Sequence, residues 1–171
     1  MTIRHVFAGA CALVLATAPL ALADDDHHSP CHDVAGRILW SVIPAPNEPF
    51  GRVLGSATGS LEGPTTDSIL AFETPPGVVP IKTHDFPIFM TGPHDQLYGD
   101  AHATFTPTAN PAIVDDEQTI AITGGTGKFE GATGTIHAKG HGHNLLTTPP
   151  PDQAGQVFFN LAYWGEVCLA K

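Results

Sequence analysis

Positive charge is scarce in this chain: seven Lys and Arg stand against 17 Asp and Glu, for a net charge of −10. With no basic stripe to meet phosphates, a nucleic-acid partner is not expected. Uninterrupted helix-length stretches are also lacking, because 18 Gly and 16 Pro break nearly every segment, and both residues are poor in helix interiors. Charged residues make up only 14% and hydrophobic ones 42%, which excludes a charged disordered chain. The glycines and prolines are too dispersed for collagen. At 171 residues the chain is long enough for one domain with a real core. What remains is an acidic, soluble, all-β domain.

There is no apolar run long enough for a comfortable bilayer span, so no membrane span is expected. The longest, Val6 to Leu20, follows a short basic segment at Arg4-His5 and precedes the small residues Ala21-Leu22-Ala23. That order is an export signal over residues 1–23. Cys11 lies inside the run, but Ala8 stands where a lipobox would carry Leu, so a lipoprotein is set aside. The mature chain is expected in the periplasm or medium, with residues 24–34 as an N-terminal tail and 35–171 as the folded domain.

Cysteine is the next scarcity. Only three are present, and removal of the signal leaves Cys31 and Cys168. In an oxidising compartment an even pair at opposite ends of a domain reads as a disulfide, with two separate buried thiols as the alternative. Closing so long a loop would contribute about 4–5 kcal/mol in the chain-entropy picture.

Strand signals recur at short spacing: Ala35–Ile43, Arg52–Gly59, Asp67–Glu73, Val78–Met90, Leu97–Phe105, Gln118–Thr123, Phe129–His143 and Gln156–Leu169. Eight strands separated by turn residues suggest a closed antiparallel barrel or a sandwich. Pro80 and Pro87 within the fourth segment suit an edge or a bulged strand. Pro149-Pro150-Pro151-Asp152 is a turn before the last.

The most distinctive motif runs Gly124-Gly125-Thr126-Gly127-Lys128-Phe129-Glu130-Gly131-Ala132-Thr133-Gly134. It is not a phosphate loop: Ile122 stands where the first Gly is required, and Phe129 follows Lys128 where Ser or Thr is needed. A dinucleotide fingerprint would require a helix downstream, yet the next residues are rich in Gly and Thr. The better reading is a sharp turn at Gly124, Gly125 and Gly127, a core plug at Phe129, and close strand contacts or a kink at Gly131 and Gly134.

At this motif the chain resembles the dirigent and allene oxide cyclase superfamily, particularly its small exported bacterial members. There a Gly-Gly-Thr-Gly-[Lys/Arg]-Phe-x-x-Ala-x-Gly segment links two late strands, and residues 124–134 match each defined position. The resemblance implies a single eight-stranded antiparallel β-barrel of calycin type. Cys31 and Cys168 resemble the terminal disulfide of dirigent proteins. It further implies an apolar small molecule held in the cavity and a cyclase, isomerase or stereochemical-guide activity without a cofactor. Holding a reactive substrate in one conformation requires few catalytic groups. The family's catalytic residues do not carry over. His32-Asp33 falls before the first expected strand, and the Leu39–Pro44 stretch has neither the Glu and Asn nor the Ser-Pro pair of the plant cyclases.

The remaining catalytic candidates are Tyr163, Glu166, Asp67 and Glu73. Tyr163 and Glu166 fall on opposite faces of the last strand, and the same conflict is expected of Asp67 and Glu73. A carboxyl facing an apolar cavity would have a raised pKa and act as a general acid or base. His137, His141 and His143 share a face, but the opposite face, Ile136-Ala138-Gly140-Gly142, is the packed one. The histidines are therefore expected in solvent and no metal site is expected. Asp24-Asp25-Asp26-His27-His28 reads as a solvated tail. The last strand is apolar on both faces, which suggests a homo-oligomer, a dimer or trimer. A non-catalytic carrier or structural barrel of lipocalin-like type is the alternative function.

Overall fold

A computed structural model describes residues 31–45, 48–144 and 157–171. The expected export signal, the tail through residue 30 and the Pro149–Asp152 turn lie outside them. Eight strands follow in order: β1 (Cys31–Ala45), β2 (Glu48–Gly59), β3 (Gly63–Phe72), β4 (Ile81–Met90), β5 (Gln96–Pro107), β6 (Ile113–Thr126), β7 (Thr133–Asn144) and β8 (Val157–Cys168). Each pairs with its chain neighbour and β8 returns to β1, so the sheet is a closed antiparallel barrel. Among the described residues there is no α-helix, and no helix is long and apolar enough to cross a membrane.

The strands exist because apolar and polar residues alternate. In β1, Val34, Ile38 and Trp40 are buried while Ala35, Arg37 and Leu39 face outward. In β7, Ile136 and Ala138 point inward and His137, His141 and His143 lie exposed, as the spacing predicts. In β8, Phe159, Leu161 and Tyr163 are core residues, whereas Trp164 is 47% exposed.

Three boundaries differ from the sequence expectation. β1 starts at Cys31, so His32 and Asp33 lie within the first strand, opposite Val167 and Glu166 of β8. They are exposed. The ladder with β8 extends the strand past the run that alternation alone marks. β4 is no edge strand, since closure leaves none. Pro87 pairs toward β3 with Asp67, and the β4–β5 ladder passes from Asp85 to Ile88 where Pro87 has no N–H to give.

The glycine motif is the third. β6 runs on to Thr126, with Gly124 and Gly125 paired to Tyr98 and Leu97 of β5. The turn itself is a single 3-10 helical turn at Gly127–Phe129. Gly127 has φ of 60°, and a Cβ there would stand 2.1 Å from Asp95 Oδ1 and 2.7 Å from the His94 carbonyl oxygen. A larger residue would fit only if these atoms moved. Phe129 is buried and Lys128 exposed, so the turn drives one ring into the core and leaves the ammonium outside. Gly131 and Gly134 follow at the entry to β7.

Cys31 and Cys168 are direct partners across the β1–β8 seam and form a disulfide with an S–S distance of 2.05 Å. It joins the first and last strands where the barrel closes.

Candidate functional site

The inward positions divide the barrel along its axis. At one end Leu61, Phe89, Leu97, Phe129, Ile136 and Tyr163 fill the interior. This packed end holds the β6–β7 turn and the disulfide. Toward the other end, the C-terminal part of β3 and the first residues of β4 and β6 line a cavity of about 320 Å³. Its walls include Trp40, Val42, Val53, Ile69, Phe72, Ile81, Phe105, Val114, Val157 and Phe159. Small apolar molecules are held by such concave, mainly hydrophobic surfaces with a few polar groups to orient them.

The polar groups here are carboxyls. Asp67 and Asp85 line the cavity with Thr83 and Gln118, and Asp116 lies behind Gln118 on β6. All three aspartates are buried, with relative exposures of 4%, 2% and 0%. Strand alternation places them there, since Asp67 shares its face with Thr65, Asp85 with Phe89, and Asp116 with Ile120.

A charge in such a wall is costly, so burial favours the protonated acids. Burial, reinforced by the neighbouring charges of Asp85 and Asp116, pushes Asp67 up from 3.8 to about 8, against hydrogen bonds from the Ser68 and Phe86 backbone. Burial lifts Asp116 to about 7, partly offset by the amide of Gln118, whose Nε2 donates to Oδ2 at 3.0 Å. Asp85 rises to about 6, again through burial, and is held lower by the Thr83 hydroxyl, which donates to its Oδ2 at 2.7 Å. Among the described residues, the Oδ1 atom of each of the three has no hydrogen-bond partner. Buried oxygens left this way are uncommon in protein interiors, and those of Asp67 and Asp85 belong to side chains that line the cavity.

Of the four carboxyl and phenol candidates, only Asp67 reaches the cavity. Glu73 stands outside the barrel with Oε1 2.9 Å from Nδ1 of His102. The conflict expected of Asp67 and Glu73 does not follow from spacing, since six residues apart they would share a face in an unbroken strand. A bulge between Ile69 and Ala71 separates them by shifting the register against β4. Glu166 is exposed on β8 beside the disulfide. Tyr163 is buried at the packed end, where its hydroxyl accepts from the Leu61 N–H at 2.8 Å and donates to the Thr58 carbonyl oxygen at 2.9 Å. Burial raises its pKa, and both hydrogen bonds are structural.

Sequence reasoning missed Asp85, Asp116 and Gln118. For β6 the signal was present: Val114, Asp116, Gln118, Ile120 and Ile122 share one parity, but the strand was expected to begin only at Gln118. For β4, Pro80 and Pro87 argue for an edge or a bulged strand, where an aspartate attracts no notice. The chain matches no protein-family model, no curated protein and no solved structure.

Proposed function

We propose that this is an exported barrel that binds an apolar small molecule in the cavity and isomerises or cyclises it by proton transfer through Asp67. The observation that carries the reading is a carboxyl held protonated near neutral pH in an apolar wall, with one oxygen free of hydrogen-bond partners among the described residues. Such a group is poised near the working pH, where acid–base catalysis is most efficient. Asp67 gives its proton to one atom of the substrate and, as a carboxylate, takes one back from another. Substrate and product then have the same composition, and no cofactor is required. The apolar walls fix the conformation in which the shift occurs. The glycine motif and the terminal cysteine pair support kinship with the dirigent and allene oxide cyclase barrels, where this class of chemistry is at home.

The test begins with native mass spectrometry of protein purified from its own host, where one apolar molecule per chain is expected. The apolar extract of that host is then incubated with the parent protein and with Asp67→Asn. Chromatography should reveal a compound converted by the parent to a product of identical mass, and untouched by the variant. Retention of a ligand without any such conversion would identify a carrier instead. Absence of both would remove the small-molecule reading altogether.

A further inference from the structure

On the outer face, away from the cavity, β4 and β5 bring together the described residues best suited to ligate a metal. His84 and His102 are direct cross-strand partners. Their rings stack with centroids 5.0 Å apart and planes 9° from parallel. Asp100 lies two residues before His102, hence on the same face of β5, and its Oδ1 meets Nε2 of His84. One ligand atom from each of these three side chains lies within 4.8 Å of the other two. The bulge in β3 that turns Glu73 outward completes the group, since Glu73 Oε1 holds Nδ1 of His102.

We propose that His84, Asp100 and His102 bind one transition-metal ion, Zn²⁺ or Cu²⁺, with Glu73 as the positioning residue for His102. Two imidazoles and a carboxylate are a donor set for these borderline ions rather than for Ca²⁺ or Mg²⁺, which prefer oxygen ligands throughout. Glu73 has the role of an outer carboxylate: accepting the Nδ1 proton fixes the tautomer that leaves Nε2 of His102 to ligate. The side chains are 34% (His84), 47% (Asp100) and 60% (His102) exposed, so an ion enters from solvent and keeps a position open to water. Among the described residues, the other outward histidines lack this arrangement. His141 is held by Asp115 at 2.8 Å and His137 packs against Trp164.

Zn²⁺ titrated calorimetrically into the full mature chain should show one saturable event. His84→Gln and His102→Gln should each weaken it at least about tenfold, and the double variant should abolish it. Glu73→Gln should weaken it by roughly 10–100-fold, the usual cost of losing an outer carboxylate. His141→Ala should leave it unchanged. With Cu²⁺, electron paramagnetic resonance should report two imidazole nitrogens in the parent and one in each single variant, a readout that a general loss of fold would not produce. The proposal is overturned if the parent shows no saturable event. It is equally overturned if the event survives in the His84→Gln, His102→Gln double variant.

Discussion

The two ends of the barrel use the same eight strands and differ in how they hold their buried phenol and carboxyl groups. At the packed end the buried hydroxyl of Tyr163 has both a donor and an acceptor at hydrogen-bond distance. At the cavity end Asp67, Asp85 and Asp116 each keep an oxygen without a hydrogen-bond partner among the described residues. Satisfied polar groups in a core fix one arrangement, whereas unsatisfied ones cost stability. The packed end is therefore the part of the molecule that holds the fold, and the cavity end is the part that departs from good packing. Such departures are where function is to be sought.

The comparison breaks first at Phe129. Its ring is 6% exposed in the packed end, so Phe129→Ala should cost roughly 3–5 kcal/mol in denaturant unfolding. A loss below about 1 kcal/mol would show that this end is not the stabilising one.

Asp67→Asn should act in the other direction. Asp67 titrates near 8 when folded, against an ordinary value of 3.8, so the folded state binds the extra proton between these limits. The contribution is fully present below about pH 4 and is lost as pH rises toward 8. The parent should therefore lose stability from Asp67 across that window. Asp67→Asn should flatten the slope and raise the unfolding free energy at pH 8 by on the order of 1–3 kcal/mol after allowance for water reaching the cavity. Asp116, lifted to about 7, leaves a residual slope of the same sign. An unchanged profile in the variant would mean that Asp67 is ionised in the folded protein.

Gly127→Val should cost at least about 1 kcal/mol, because a β-branched residue is forced to φ of 60°. It should leave the cavity end untouched, so ligand retention by the surviving folded protein should match the parent. Lys128→Ala is the smallest effect. The side chain is exposed and reaches Asp95 only at 3.9 Å, so unfolding should shift by no more than about 0.5 kcal/mol. ATP or NAD titrated into the parent should give no binding. Nucleotide binding that vanished in this variant would reassign the turn as a phosphate loop.

Much of the packed end was readable along the chain. Its features are local: the glycines and Phe129 lie within a few residues, and a turn needing positive φ announces itself by composition. The disulfide was readable too, because reading residues 1–23 as an export signal leaves two cysteines to pair. The cavity end was not. Asp67, Asp85 and Asp116 come from three strands and are separated by up to 49 positions along the sequence. Nothing local marks an aspartate as inward-facing once a proline interrupts its strand or its strand is read several residues short.

By itself the sequence determined the strand count, the polar and apolar alternation and the presence of a turn within the glycine motif, and it favoured a pairing of Cys31 with Cys168 over two separate thiols. Each of these depends on neighbouring residues or on a count. Tertiary structure alone decided which carboxyls meet. A one-residue slip of register exchanges the faces of a strand, and the bulge between Ile69 and Ala71 makes such a slip. It leaves Asp67 in the cavity wall and carries Glu73 outside to His102. Closure of the barrel then brings Asp85 and Asp116 within electrostatic reach of Asp67, an encounter set by the geometry of the closed sheet rather than by distance along the chain.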